Sequence, residues 1–335
     1  MTAPQRREGV EGLKSQGVSE RRACDLACTS RSVARYRPVR RNEDELVERI
    51  KSLAGLNPRY GCPRIWALLK REGRAVNRKR VHRLWRKLKL QVPRRRRKKR
   101  YASGGQVPLR AQHPNHVWTW DFIYDTTADG RTLRSLTVSD EFTREGLAIQ
   151  TGRRFPARRA VEVLERLVAA HGAPEHLRSD NGPEFIARLM KRYLEGRGIG
   201  ARYIEPGSPW QNAYGESFNG KFRDECLNLE VYSTEAEAQV VHECWRRHFN
   251  TERPHSSLDY RTPLEFKAQW TAERAGGGSG PGREASLPHT GPDMRRTGGA
   301  LRPRPHARSP AAALGFLSRR ALSSAQAVDT VAGGR

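Results

Sequence analysis

The chain has 335 residues, enough for two or three domains and at least one sizeable core, with a formal net charge of +27 and a pI near 10.9. Such a charge calls for a polyanionic partner, with nucleic acid ahead of a membrane surface, because basic side chains displace condensed counterions from phosphates. No apolar run reaches the roughly 18 to 20 residues that span a bilayer, and the N-terminus lacks a secretory layout, so a cytoplasmic protein is expected.

The charge is unevenly placed. Residues 1–110 hold 32 Lys/Arg against 9 Asp/Glu, whereas residues 111–270 hold 21 against 23. A basic grip followed by a near-neutral domain predicts an enzyme held on DNA. Cys24, Cys28, Cys62, Cys226 and Cys244 show no Cys-x2-Cys pair, so neither a disulfide framework nor a structural zinc site is expected.

In chain order, residues 11–37 predict two short helices around a turn, with Ser19 and the Thr29/Ser30 region as caps, in a helix-turn-helix region assigned to 1–42. Three apolar stripes follow within 43–92: Leu46, Val47, Ile50 and Leu53; Ile65, Trp66, Leu68 and Leu69; and Val81, Leu84, Trp85, Leu88 and Leu90. They predict a compact helical DNA-binding module. Its third helix, capped by Asn77, exposes Arg78, Lys79, Arg80, Arg83, Arg86, Lys87 and Lys89, too dense a cationic face for mere solvation. Residues 93–112 form a linker whose run Arg94, Arg95, Arg96, Arg97, Lys98, Lys99 and Arg100 would repel itself unless phosphate neutralises it.

Beyond the linker the period changes. Strands are expected at 117–124, 133–138 and 146–150, then a helix at 156–171, a strand at 176–178, a helix at 184–198, a strand at 201–204 and a helix after Pro209. This is an α/β order, a ribonuclease-H-like mixed-sheet core over 113–270 preceded by all-α helix-turn-helix modules. Residues 271–335, rich in Gly, Ala, Pro, Arg and Ser, are expected to be a disordered tail.

Three carboxylates stand out in the core. Asp121 lies in WTWDFIYD on the first strand, where a buried carboxylate flanked by aromatics needs a cation or an opening. Asp180 lies in RSDNGPEF, at a strand end where turn chemistry explains Asp-Asn-Gly equally well. Glu216 lies in SPWQNAYGESFNGKFRDE, on a helix whose one face carries Asn212, Glu216, Asn219 or Gly220, and Arg223; a salt bridge to Arg223 is its ordinary reading. Singly, each signal is weak.

Together with RYGCPRIW, VNRKRVHRLWRKLKL and HFNTERPHSSLDYRTPLEF, these blocks resemble the retroviral-integrase-like transposases, specifically the product of the second reading frame of two-frame bacterial insertion sequences. The resemblance implies that Asp121, Asp180 and Glu216 are catalytic and hold two magnesium ions, with manganese able to substitute. It places Arg223 at a basic position suited to DNA phosphate. It implies nicking at element ends and strand transfer by two-metal-ion phosphoryl transfer, acting on double-stranded DNA as a homo-oligomer. No zinc is expected, since no His/Cys module precedes the core. No leucine zipper is visible, so fusion with an upstream-frame product stays open. So do a non-catalytic DNA-binding relic or regulator and a nuclease of the same fold without joining. His255, Trp210 and Asn212 are second-rank candidates.

Overall fold

The computed structural model describes residues 1–36, 43–92, 109–180, 182, 185, 187–204 and 209–275, without the side chains of residues 209 and 210. The chain divides within one helix into two compact units, Met1–Arg49 and Ile50–Arg335.

The first unit holds α1 (Ala3–Ser15), α2 (Glu20–Leu26) and α3 (Arg31–Arg35), with the next helix, α4 (Asp44–Leu56), crossing the division. Sequence periodicity predicts two helices here and the structure has three. α1 begins well before residue 11, with a proline in its first turn and the Thr2 amide donating to Gln5 Oε1 at 2.7 Å. Val10 is its one buried residue, too few for an apolar stripe to show. Val10, Ala23 and Cys24 make the small core, with Leu13, Val18, Ala27 and Ala34 packed on it. The expected cap at Ser30 forms, its hydroxyl accepting the Val33 amide at 3.3 Å.

In the second unit, Ile50 and Leu53 are buried along α4, Ile65 and Leu69 along α5 (Cys62–Arg71), and Val81, Leu84 and Trp85 along α6 (Arg78–Lys87). Asn77 caps α6, its Oδ1 accepting the Lys79 amide at 2.8 Å, and Trp66 Nε1 donates to the Val76 carbonyl at 2.9 Å to fix the turn between the last two helices. Lys89 lies beyond the helix, at φ 54°, rather than on its face.

The core is a five-stranded sheet in the order β3-β2-β1-β4-β5, built from β1 (Val117–Thr126), β2 (Thr132–Asp140), β3 (Gly146–Gly152), β4 (His176–Ser179) and β5 (Gly200–Tyr203). The first three strands are antiparallel neighbours, whereas β4 runs parallel to β1 and β5 parallel to β4. The sheet is therefore mixed, as its predicted strand order requires. Helices α7 (Ala157–His171), α8 (Arg188–Gly196), α9 (Ala213–Phe222), α10 (Glu235–Thr251) and α11 (Pro263–Ala275) complete the described core.

Strand alternation decides what each helix meets. Trp118 and Trp120 join a core with Leu136, Val138, the α7 residues Ala160 and Leu164, and the α8 residues Met190 and Leu194. The odd positions of β1 face the other way: Ile123 packs with Leu133, Ile149, Phe218 and Phe222 of α9, and Trp245 and Phe249 of α10. Two glycines permit this close packing. A Cβ on Gly215 would sit 2.8 Å from Thr119 Oγ1, and one on Gly146 would sit 2.7 Å from the Phe218 ring.

The helical module is tied to the core by long-range polar contacts. Arg59 pairs with Asp224, and Arg64 reaches Glu225 Oε1 at 3.3 Å. Tyr60 Oη lies 2.9 Å from His248 Nε2, and Arg71 donates to the Tyr260 carbonyl at 3.1 Å and pairs with Glu265.

One buried imidazole gives this fold a measurable pH signature. His242 on α10 has Nδ1 2.7 Å from the Thr151 hydroxyl, and burial pushes its pKa from 6.5 down to about 3. Between those values the unfolded chain holds a proton that the folded chain lacks. Its stabilising contribution is complete above pH 6.5 and lost as the pH falls, by up to about 1.4 kcal/mol per pH unit. Carboxylates raised by burial, such as Asp121, act in the opposite direction, so the difference from a variant isolates the effect. In urea unfolding, the stability advantage of the parent over His242→Gln is expected to shrink between about pH 7 and about pH 5. A pH-independent advantage would count against a neutral buried imidazole.

Candidate active site

Asp121 stands at an odd position of β1, between Thr119 and Ile123 on the face that meets α9, so the aromatic neighbours Trp120 and Phe122 point to the opposite layer. Its carboxylate is held on both sides. Oδ1 accepts the Phe122 amide at 2.7 Å, and Oδ2 accepts Asn219 Nδ2 at 2.9 Å. The Thr137 hydroxyl on β2 lies 2.8 Å from Asn219 Oδ1 and 3.1 Å from the Asp121 carbonyl, which fixes the amide orientation. Asn219 is visible in the sequence as a member of the Glu216 face; what it holds is not.

Asp180 directly follows β4. Thr119 is level with Arg178 in the parallel pairing of β1 and β4, so two further residues along each strand bring Asp180 level with Asp121. Its Oδ1 accepts the Gly182 amide at 3.1 Å, the turn contact expected of Asp-Asn-Gly, and its side chain is exposed. Glu216 lies in the first turn of α9, where a carboxylate also complements the helix dipole, and it is half-buried. That helix starts at Ala213 after a 3-10 turn over Pro209–Asn212, as the sequence leads one to expect.

Asp180 and Glu216 lie near enough for their charges to act on Asp121. Burial pushes the Asp121 pKa up to about 6, the negative charges of Asp180 and Glu216 push the same way, and the Phe122 amide and Asn219 oppose. Carboxylate oxygens whose charges act on one another are of the type a hard divalent cation could take. Arg223, one residue past α9, donates from Nη2 to the Tyr124 carbonyl at 2.9 Å and so ties the helix end to β1.

Arg78, Lys79, Arg83, Arg86 and Lys87 are exposed on α6 and Arg80 is half-buried; residues 94–100 lie outside the described residues. The second-rank candidates have structural work. Asn212 Oδ1 accepts the Thr119 hydroxyl, and His255 is buried with Nε2 3.1 Å from the Phe249 carbonyl. The side chain of residue 210 is outside the described residues.

A second group with metal-ligand chemistry lies at the other end of β1 and β4. His113 Nε2 is 3.2 Å and His116 Nε2 3.7 Å from the Glu175 carboxylate. The Gln112 amide donates to His116 Nδ1 at 3.0 Å, which leaves the proton on Nε2, the atom that a metal ion would need free.

Three family models match the chain: an HTH-like domain over residues 41–98, and two models described as integrase core domain over 111–209 and 197–263. A 39.2 kDa protein of insertion element IS476 from Xanthomonas euvesicatoria is 41% identical over 276 residues, covering 82% of this chain and 80% of that protein. The transposase of insertion sequence element IS904 from Lactococcus lactis is 27% identical over 222 residues, covering 62% of this chain and 87% of its own length. Among solved structures, the HTLV-2 integrase catalytic core domain in complex with magnesium superimposes with a TM-score of 0.37 at 16% identity, covering 47% of this chain and 99% of that one.

Proposed function

The chain belongs to the integrase-core transposases of insertion elements, and from that premise we propose that it cuts and joins DNA at element ends, with Asp121, Asp180 and Glu216 as the catalytic, metal-holding carboxylates. The observation that carries the reading is their placement: Asp121 on β1, Asp180 at the end of the adjacent parallel β4, and Glu216 on α9, whose Asn219 donates to Asp121. Two divalent ions, normally magnesium, would supply Lewis-acid activation of the attacking hydroxyl and charge stabilisation at the leaving oxygen.

The protein's own residues do the positioning. Asn219 and the Phe122 amide hold both oxygens of Asp121, Glu216 stands on a rigid helix, and Asp180 is set by its turn. Binding is separate from chemistry. The cationic face of α6 and the basic run at 94–100 take DNA phosphates, and Arg223 adds a cation beside the helix that carries Glu216. A homo-oligomer that holds two ends together follows from the reaction, since both ends join one target.

The test uses labelled duplexes that carry an element end, incubated with the full chain and magnesium or manganese. Joined products that disappear with a chelator support transposition. Cleavage without joining favours a nuclease, and DNA binding without either favours a regulator. A further expected outcome concerns the basic run. With Arg94–Arg100 replaced by glutamines, the log–log salt dependence of DNA binding should flatten, by about 0.9 for each phosphate that is no longer neutralised. An unchanged slope would reduce the run to a linker.

A further inference from the structure

Beside the stripe that holds Glu216, α9 carries a second one. Tyr214, Ser217 and Lys221 stand at i, i+3 and i+7, all half-buried. Lys221 donates to Ser217 Oγ at 2.8 Å, which occupies one of three ammonium donors. Arg144, in the turn between β2 and β3, lies over the Tyr214 ring at 3.8 Å from its centroid, and its Nη1 is enclosed without a hydrogen-bond acceptor among the described residues.

Nearby negative charge is already committed. Both oxygens of Glu225 accept from Arg253, at 2.7 and 2.6 Å, Arg64 approaches the same carboxylate at 3.3 Å, and Asp224 is taken by Arg59. Lys221 therefore feels more positive than negative charge: burial first, then Arg253, Arg64 and Arg144, draw its pKa down to about 7 against the pull of Glu225. An enclosed donor without an acceptor is costly, and an anion would satisfy Arg144 Nη1 together with the ammonium donors that Lys221 does not spend on Ser217.

We propose that Lys221 and Arg144 form a phosphate subsite, at the seam where the helical module meets the core, that takes a backbone phosphodiester of the bound DNA. Ser217 is the neighbour of Glu216, so a strand crossing the carboxylates sets an adjoining phosphate against this flank of α9. Cations with unused donors, an aromatic face that keeps the guanidinium flat and nearby carboxylates already paired all fit a phosphate rather than a metal or a peptide acid. The identity of the ligand as DNA rests on the function proposed above.

The test measures binding of an element-end duplex over a range of salt, for the parent, Arg144→Gln, Lys221→Gln and Lys221→Arg. Each glutamine should lower the log–log slope by about 0.9 with the fold intact by thermal melting, and Lys221→Arg should keep the parental slope. Should Lys221→Gln fail to fold, Arg144→Gln in the turn between β2 and β3 decides alone. Unchanged slopes in folded variants overturn the subsite. So does protection by inorganic phosphate that vanishes in the variants while DNA slopes stay the same, which would mark a small-anion pocket. Joining by the parent is assayed in parallel. Joining with unchanged slopes overturns only the subsite, and reduced slopes without joining support the subsite while removing the strand-transfer reading.

Discussion

Alanine at Asp121, Asp180 or Glu216 is expected to abolish metal-dependent joining while leaving DNA binding at least as tight as in the parent. Charge separates the two effects. Residues 1–110 carry 32 basic against 9 acidic side chains, whereas the core that contains the three carboxylates has 21 against 23, so affinity is expected to be held outside the core. Loss of one carboxylate removes an oxygen donor from the set that would hold the ions, and it also removes repulsion toward phosphate. Groups that merely orient metal ligands cost about 10- to 100-fold in activity when removed. Asn219→Ala, which frees Asp121 Oδ2 but leaves all three carboxylates, should fall in that range, and each of the three alanines should lose more. Joining assays and filter binding on the same preparations read the two effects apart. Unchanged joining in all three alanine variants would sink the assignment.

Much of this site can be read from the chain alone because it is set by local periodicity. Alternation in β1 puts Asp121 inside a strand, Asn-Gly after β4 puts Asp180 in a turn, and helical spacing gathers Asn212, Glu216 and Asn219 on one side of α9. What periodicity cannot supply is the partner across the fold. The aromatics that flank Asp121 in sequence belong to the other layer, and its real neighbours, Thr137 and Asn219, come from β2 and α9. The seam between helical module and core is the extreme case. Arg59 and Asp224 are 165 residues apart, and Arg64 and Glu225 are 161 apart, so no window of sequence contains both members of a pair. RYGCPRIW and SPWQNAYGESFNGKFRDE are visible as motifs, but single charges in turns and on short helices look like solvated faces until the chain is folded.

That seam supplies the second large effect, on stability rather than activity. Arg253→Met is expected to destabilise the second unit by about 3 to 5 kcal/mol, because it leaves Glu225 as a buried charge without its bidentate partner. Arg253 is 1% exposed and Glu225 8%, and both carboxylate oxygens are engaged at 2.6 to 2.7 Å. Burial alone would raise the Glu225 pKa, but Arg253 and then Arg64 and Lys221 hold it at about 2. With the folded pKa below the usual 4.5, the contribution is complete above that value and is lost as the pH falls toward 2, so the pair works throughout the neutral range. Arg64 alone cannot replace Arg253, since it approaches one oxygen at 3.3 Å and its own position depends on the docked helical module. The Met side chain keeps much of the volume beside the Phe249 ring, over which the guanidinium lies at 5.3 Å, so the cost reports charge more than cavity. Thermal melting measures it, and the double variant Arg253→Met/Glu225→Met tests the cause. Removal of both charges should recover most of the loss, as apolar replacement of a buried pair commonly does. A double variant no more stable than Arg253→Met would mean that packing, not an orphaned carboxylate, sets the cost. In that case the ion pair at the seam contributes geometry to the docking of the module and little energy of its own.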